Sequence, residues 1–397
     1  MKSPTRTGFA AVLPGLFFLM LMVFLAMMPR MLIAPLLLRI SADLGLPYDR
    51  ASLFFLTSSA GFIVGLLTSG FVARVITHRW TIVSSLFISG LAFAYLSRTH
   101  DEASFHAVLF AGNLAVGFYP GSGIASVISL SPVERRGAAL AIHECGPNSA
   151  FIFAPAAAAV FAPTGGWRGV MLTMGAISMA AALIFAAFGR AERGRGIPPN
   201  FGNLAELFRN RSFWIISVMF MAAATAAMGV YGVLPVYLVV EHGLPETFVN
   251  RIVGISRITG YAAILSGGVL VDRFGFRPVV TVVLAVTGAA TVLLGLSSGR
   301  LLIAAVFVQP LVVGAFFPMA LNALADVTAP QRRSLAVALA IPLANLVGAG
   351  VAPPLLTAAG AAGRFRGSFV LLGVLIAASL LLLPFMHSGD GGRESPV

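Results

Sequence analysis

Long runs of apolar residues, separated by short polar segments, fill the chain from about residue 12 to about residue 386. A membrane-spanning helix needs about 20 apolar residues, because the hydrocarbon core is about 30 Å thick and each helical residue rises about 1.5 Å. The runs therefore predict an all-α integral membrane protein with twelve transmembrane helices and no room for a soluble catalytic domain. The predicted spans are residues 12–38, 52–73, 80–97, 104–128, 138–162, 168–188, 213–239, 251–271, 278–297, 301–325, 335–358 and 367–386.

Short sequence matches recur with an offset of 197 or 198 residues, which indicates an internal repeat. The matching pairs are Gly45-Leu46-Pro47 with Gly243-Leu244-Pro245, Trp167-Arg168 with Phe365-Arg366, Ala154-Pro155 with Ala352-Pro353, Arg135-Arg136 with Arg332-Arg333, and Asn148 with Asn345. Two repeats of six spans predict two pseudo-symmetric six-helix bundles, residues 1–188 and 212–397, joined by a polar cytoplasmic linker at 189–211.

Composition and charge exclude a soluble globular protein. Hydrophobic residues make up 58% of the chain and charged residues only 10%, against about 25% charged residues in ordinary soluble domains. The net charge is +12, and the loops on the side of both termini carry about twice as many Lys and Arg residues as the loops on the other side. We therefore predict a multi-pass protein of the cell inner (plasma) membrane with both termini cytoplasmic, and no nucleic-acid partner.

One loop carries a family signature. The segment Gly268–Arg277 reads GVLVDRFGFR and follows the predicted span 251–271. It resembles the signature loop of the major facilitator superfamily, and the resemblance extends to the twelve spans, the half-chain repeat and the central basic linker. Membership would imply two six-helix bundles and secondary transport by alternating access. It would also imply gating roles for Gly268, Asp272, Arg273, Gly275 and Arg277.

The first-half copy of this loop is degenerate. The segment Gly70–Arg79 reads GFVARVITHR and keeps the first glycine and the last arginine. Arg74 stands at the position of the acidic residue, and Thr77 stands at the position of the second glycine. The first bundle therefore lacks two residues of the usual gate.

Few ionisable residues lie inside the predicted spans, and such residues are functional candidates because an unpaired charge in hydrocarbon costs several kcal/mol. We predict that Glu144 carries a coupling proton, with His143 as a relay, and that Arg30 and Arg257 bind an anionic substrate. Purely structural roles are the alternatives. Glu144 would form an ion pair or cap a helix, and His143 would form an ordinary hydrogen bond. Each arginine side chain would extend to the membrane surface. Further candidates for substrate contact are Asn113, Asn148, Gln309 and Asn345, for which hydrogen bonding between helices is the alternative.

These observations predict a transporter and not an enzyme. The sequence contains no metal-ligand cluster and no phosphate-binding loop, so we expect no cofactor and no resident metal. The expected partners are a small-molecule substrate, which is anionic in our reading, protons and the lipid bilayer, and we expect a monomer. Two alternatives stay open: a proton-coupled exporter of drugs or metabolites, and a membrane scaffold or sensor that no longer transports.

Overall fold

The computed structural model describes residues 9–196, 204–261, 263, 270–271, 273–328 and 333–386. Helices and short connections account for this part of the chain, which contains no β-strand. The helices are α1 (Phe9–Asp43), α2 (Tyr48–Ala51), α3 (Leu53–Leu96), α4 (Glu102–Gly117), α5 (Tyr119–Leu130), α6 (Arg136–Phe188), α7 (Leu204–Phe208), α8 (Arg211–Ala224), α9 (Val230–Val240), α10 (Glu246–Ser256), α11 (Phe276–Leu296), α12 (Gly299–Val308), α13 (Pro310–Val313), α14 (Phe316–Asp326), α15 (Arg333–Asn345), α16 (Ala352–Ala361) and α17 (Phe365–Ala378).

Irregular helical turns join several of these helices. Turns of 3₁₀ helix lie at Val133–Arg135, Arg257–Gly260 and Ser379–Phe385. Turns of π-helix lie at Thr225–Gly229, between α8 and α9, and at Leu346–Val351, between α15 and α16. Widened turns of this kind occur often at functional sites, because they release backbone carbonyls from the regular hydrogen-bond ladder.

Nine helical stretches of the described residues are long and apolar enough to cross a membrane. Two of them, Tyr48–Leu96 with 49 residues and Val133–Phe188 with 56 residues, hold more than twice the roughly 20 residues that one crossing needs. The backbone leaves the helical region at Thr77 within α3 and at Gly166 within α6. Both positions fall in the gaps that the hydrophobic pattern predicts between neighbouring spans. The count of twelve spans stays a prediction, because most of predicted span 251–271 beyond Tyr261 lies outside the described residues.

The chain divides into two compact units. Unit 1 comprises Met1–Leu36 and Ala60–Pro198, and unit 2 comprises Leu37–Ser59 and Pro199–Val397. The segment Leu37–Ser59 is therefore grouped with the second half of the chain. Side-chain contacts within unit 2 explain this grouping: Arg39 Nε donates to Glu246 Oε1 at 2.7 Å, and Thr357 Oγ1 donates to Ser52 Oγ at 2.7 Å. The sequence division at residues 189–211 stays a prediction.

Pairs of glycines bring helix backbones into contact in both units. In unit 1, a Cβ added to Gly90 of α3 would lie 2.8 Å from the carbonyl oxygen of Gly175 in α6. In unit 2, a Cβ added to Gly288 of α11 would lie 2.8 Å from the carbonyl oxygen of Gly373 in α17. The two pairs are 198 residues apart, which is the offset of the sequence repeat. The repeat therefore includes the helix crossings, where only small residues permit this approach.

The degenerate loop has the same backbone turn as its copy. Thr77 has φ 72° and ψ 162°, and Gly275 has φ 82° and ψ 162°. This region of conformational space is almost restricted to glycine, and a β-branched residue placed there carries strain of about 1–3 kcal/mol. Thr77 is the one non-glycine residue with a positive φ in the described part of the chain.

The beginning of the polar linker lies against this strained loop. Within unit 1, Arg79 N donates to Glu192 O at 3.1 Å, His78 N donates to Gly194 O at 3.2 Å, and Gly196 N donates to Ala73 O at 3.1 Å. A hydrogen bond from the backbone N–H of Gly194 holds the pKa of the Glu192 carboxyl below its usual value. These bonds fix the backbone on both sides of Thr77 and so help to maintain its strained conformation.

We expect Thr77→Gly to raise the free energy of unfolding by about 1 kcal/mol, because the released strain exceeds the backbone entropy that glycine adds. Gly275→Thr introduces the same strain into the second copy and should lower stability by about 1–3 kcal/mol. Thermal unfolding of the purified protein in detergent measures both changes. Thr68→Gly, in the regular part of α3, is the matched control and should be slightly destabilising. Equal losses of stability in Thr77→Gly and Thr68→Gly would show that Thr77 carries no backbone strain.

The glycine crossings predict opposite effects for two alanine substitutions on α17. A Cβ at Gly373 would lie 2.5 Å from Gly288 O and 2.6 Å from Val292 N, so Gly373→Ala must push two backbones apart and should cost about 1–3 kcal/mol. Gly367 has open space around its Cβ position, so Gly367→Ala should be neutral or stabilising because alanine favours the helix. The same unfolding measurement distinguishes them, and a neutral Gly373→Ala would show that the crossing tolerates side chains.

Candidate functional site

A cluster of three polar side chains lies within unit 1, on α5 and α6. His143 Nδ1 lies 3.2 Å from Glu144 Oε1, and His143 Nε2 lies 3.2 Å from the hydroxyl oxygen of Tyr119. The imidazole and phenol rings are nearly parallel, with an interplanar angle of 7° and centroids 5.9 Å apart. The His143 side chain is only 2% exposed, whereas that of Glu144 is 52% exposed. The carboxylate therefore lies at an accessible position and the imidazole lies behind it.

Local sequence features bring α1, α5 and α6 together at this cluster. Helix α4 ends at Gly117 and α5 begins at Tyr119, and Pro120 lies in the first turn of α5, a position where the missing N–H of proline does no harm. Gly146 lets α6 approach α1, since a Cβ there would lie 2.5 Å from Met20 O. This approach places the carbonyl oxygen of Leu19 within 2.8 Å of the Tyr119 hydroxyl, which donates to it.

Arg257 forms the second polar centre, in unit 2. It begins the 3₁₀ turn after α10, is 8% exposed, and directs Nη1 at Ala227 O at 3.3 Å. The guanidinium carbon lies 5.1 Å from the ring centroid of Tyr231. The remaining Nε and Nη2 atoms are buried and have no hydrogen-bond partner, and Arg257 forms no ion pair with any carboxylate in the described ranges.

Gln309 reaches the same π-helical turn as Arg257. Its Nε2 donates to Ala226 O at 2.7 Å, next to the carbonyl that accepts from Arg257. The side chain is fully buried, and its Oε1 has no hydrogen-bond partner within the described part of the chain. The π turn Thr225–Gly229 therefore anchors two side chains from different helices, and each leaves polar atoms available for another partner.

The free edge of Arg257 has the geometry of an oxyanion site. The Nε–H and Nη2–H bonds of a guanidinium point in parallel along one edge, at the spacing of two oxygens of a carboxylate, sulfonate or phosphate. A buried guanidinium edge without acceptors is energetically unfavourable. The arrangement can therefore bind an oxyanion through two charge-assisted hydrogen bonds.

Arg30 has a different environment. It lies in α1, is 7% exposed, and its guanidinium carbon is 4.3 Å from the ring centroid of Phe62 in α3. Stacking on an aromatic face is a favourable position for a buried guanidinium. Arg30 belongs to unit 1 and Arg257 to unit 2. That both arginines hold one anion stays a prediction.

The asparagine candidates bond to the preceding turn of their own helices. Asn113 Nδ2 donates to Leu109 O at 2.9 Å, Asn148 Nδ2 donates to Glu144 O at 2.8 Å, and Asn345 Nδ2 donates to Ile341 O at 3.3 Å. Asn345 also directly precedes the π turn Leu346–Val351. Their roles as substrate contacts stay predictions.

The predicted gating residues are only partly described. Gly268 and Asp272 lie outside the described residues. The Arg273 guanidinium carbon is 5.3 Å from the ring centroid of Phe274, and Gly275 has the positive φ noted above. The gating roles stay predictions.

Arg277 has a contact that the sequence analysis missed. Its Nη2 donates to Met386 O at 2.7 Å, which ties the beginning of α11 to the end of the last helical turn. The first-half copy has the same contact, since Arg79 Nη2 donates to Ala186 O at 2.8 Å. The final arginine of both loops therefore binds backbone carbonyls near the end of its half.

Sequence reasoning also missed Tyr119 and Tyr231. Both are buried tyrosines inside apolar runs, where their hydroxyl groups are their only polar atoms. The dipeptide Tyr119-Pro120 was the available signal, because a proline inside a predicted span marks a helix break. Nothing in the linear sequence indicates that Tyr119 contacts His143 or that Tyr231 lies beside Arg257.

Comparisons with known proteins identify the family. The family model of the Major Facilitator Superfamily matches residues 19–260 and 247–395. A probable sulfoacetate transporter, SauU, of Cupriavidus necator is 31% identical over 139 residues, which is 34% of this chain and 32% of that protein. The match thus spans about a third of the length of this curated relative.

Solved structures share the whole fold. A bacterial homologue of the human lysosomal transporter Spinster, in an inward-facing and occupied conformation, aligns with a TM-score of 0.77 at 15% identity and covers 98% of both chains. A D-xylose–proton symporter aligns with a TM-score of 0.78 at 14% identity, covering 97% of this chain and 100% of the other. At such low identity the likeness concerns the fold alone.

Proposed function

Because the chain belongs to the Major Facilitator Superfamily, we propose that this membrane transporter works by alternating access and carries a small organic anion together with a proton. The observation that carries the proposal is the buried edge of Arg257, whose Nε and Nη2 have no hydrogen-bond partner among the described residues. The proton would bind at Glu144 and His143. The proposed location is the inner (plasma) membrane with both termini cytoplasmic, and the proposed active form is a monomer.

The environment of Arg257 favours an anion over a cation. Its guanidinium is permanently charged, and no described carboxylate neutralises it. Nη1 is already bonded to the π turn, and the ring of Tyr231 lies beside the guanidinium. An oxyanion at the Nε and Nη2 edge would supply both missing acceptors and the missing countercharge. A cationic substrate would be repelled from the same position.

The chemistry of the arginine edge narrows the substrate class to carboxylates, sulfonates and organic phosphates. The partial match to a probable sulfoacetate transporter supports an organic anion. Gln309 reaches the same backbone turn, and its Oε1, which has no partner among the described residues, would accept from a donor group on a polar cargo.

Glu144 is the proposed proton carrier. Its carboxylate lies in α6, is half exposed, and contacts a buried histidine. Binding a proton with each substrate charge would reduce the net charge that the loaded transporter must carry, which favours symport.

One observation favours the alternative of proton-coupled export. The half-exposed carboxylate of Glu144 could attract a lipophilic cation instead of serving only a proton. In that case substrate binding and proton binding would compete at Glu144, and Arg257 would have no direct role.

The anion proposal predicts a strong dependence on Arg257. In liposomes that contain a pH dye, external sulfoacetate should acidify the lumen, and Arg257→Gln should lower the initial rate at least tenfold. The loss follows from two charge-assisted hydrogen bonds, each worth about 1.5–3 kcal/mol. Arg257→Lys should restore only part of the rate, because an ammonium lacks the two-donor edge. Arg251→Gln, at an exposed arginine of the preceding helix α10, is the matched control.

A second set of outcomes would overturn the anion proposal. Equal rates for wild type and Arg257→Gln would remove Arg257 from the substrate site. Lumenal alkalinisation on adding a lipophilic cation outside acid-loaded vesicles, with no response to carboxylates, sulfonates or organic phosphates, would favour the exporter.

The role of Glu144 has its own test in the same vesicles. Glu144→Gln should abolish lumenal acidification, because the amide cannot carry the proton. Exchange of labelled substrate between the two sides of the membrane should persist, since it needs no net proton movement. Retained acidification in Glu144→Gln would place the coupling proton on another residue.

A further inference from the structure

The hydroxyl group of Tyr119 contacts two acceptor-capable groups at once. It lies 2.8 Å from the carbonyl oxygen of Leu19 and 3.2 Å from Nε2 of His143. The side chain is completely buried. The contact with Leu19 is the shorter of the two and a carbonyl oxygen can only accept, so we assign the single hydroxyl proton of Tyr119 to Leu19.

This arrangement determines which nitrogen of His143 carries hydrogen. The Tyr119 oxygen has already given its proton to Leu19, and it can only accept from the histidine. Nε2 must therefore be the protonated nitrogen that donates to Tyr119. The nearly parallel stacking of the two rings holds the imidazole in this orientation.

The contact with Glu144 then requires one more proton. A neutral imidazole with hydrogen on Nε2 presents a lone pair at Nδ1, and an ionised carboxylate presents only acceptors. Two acceptors 3.2 Å apart would repel each other. The observed contact between His143 Nδ1 and Glu144 Oε1 is favourable only if a proton lies between them, on either the nitrogen or the carboxyl oxygen.

We propose that Tyr119 is a positioning residue, which fixes the Nε2–H tautomer of His143 so that His143 and Glu144 bind and release one proton as a unit. This inference rests on the proposed proton coupling and deepens it. The proton enters through the exposed Glu144, because His143 is 2% exposed. When the proton leaves, the two acceptors repel and the Glu144 side chain moves away from His143. Proton release is thereby tied to a movement at α6.

Uncharged groups from α1, α5 and α6 lie next to the pair. Glu144 lies close enough to act electrostatically on Tyr119, from α5, and on Cys145, from α6 itself. Where α1 packs against α6 at Gly146, it presents a backbone carbonyl and the uncharged residues Val23 and Phe24.

The pH profile of sulfoacetate-driven proton uptake tests the proposal with Tyr119→Phe. This change keeps the stacked ring but removes the acceptor, so a neutral His143 can move its hydrogen to Nδ1 and donate to the ionised Glu144. The deprotonated state becomes more favourable, and we expect the midpoint of the profile to shift to lower pH by about one unit, a tenfold change in proton concentration. The KM for sulfoacetate at acid pH should change less than twofold. Tyr95→Phe, at an exposed tyrosine, is the matched control.

Nitrogen NMR of histidine-labelled protein gives a second readout that does not depend on transport. Wild type should show His143 with hydrogen on Nε2, assigned by loss of the signals in His143→Gln, and Tyr119→Phe should show the Nδ1–H form.

A neutral Nδ1–H tautomer in wild type would overturn the inference even if Tyr119→Phe failed to fold. An unshifted pH profile in Tyr119→Phe, with acidification still abolished in Glu144→Gln, would overturn it and leave the proposed function standing. Absence of anion-driven proton movement in wild type would overturn the proposed function, and the NMR result would still decide the tautomer.

Discussion

Close contact between helix backbones is the constraint on which the other features of this protein depend. In a bilayer the hydrophobic effect does not drive helices together, so association relies on van der Waals packing and hydrogen bonds at short range. Glycine pairs let the backbones approach this closely where α3 crosses α6 and where α11 crosses α17. The same principle operates at Gly146, where α6 touches the backbone of α1. Without that approach, the carbonyl of Leu19 could not accept from Tyr119, and the tautomer of His143 would be undetermined.

Backbone carbonyls serve as partners for polar side chains in both units. Leu19 O accepts from Tyr119 in unit 1, and the π turn Thr225–Gly229 accepts from Arg257 and Gln309 in unit 2. In each case the backbone bond uses only part of the hydrogen-bonding capacity of the side chain or cluster. The remainder is available for cargo: a proton between His143 and Glu144, and an oxyanion at the Arg257 edge in the proposed mechanism. Buried polar groups that are half satisfied are costly in a static protein, but they suit a protein that must bind and release.

Some structural features occur in both halves of the chain, and others occur in only one. They share the glycine crossings, the turn at Thr77 and Gly275, and the arginine that binds a terminal carbonyl, Arg79 or Arg277. The turn persists although the first copy has lost its glycine, because bonds from the linker hold the backbone around Thr77. Repeated features thus form the scaffold. The unrepeated ionisable residues, Glu144 and Arg257, carry the proposed chemistry.

The sequence by itself determined the helical membrane fold and the family. It also located the breaks near Thr77 and Gly166, and it singled out Glu144, His143 and Arg257 as the polar groups of interest. These features are readable because hydropathy, charge and helix breaks act over a few turns of one chain segment. Only the tertiary structure decided which polar atoms of those residues have hydrogen-bond partners. Tyr119 donates a hydrogen bond to Leu19, 100 positions away in the sequence. Arg257 donates to Ala227, 30 positions away, and Arg277 donates to Met386, 109 positions away. Hydrogen bonds depend on distances of about 3 Å and on direction, and no linear pattern specifies these before the helices pack.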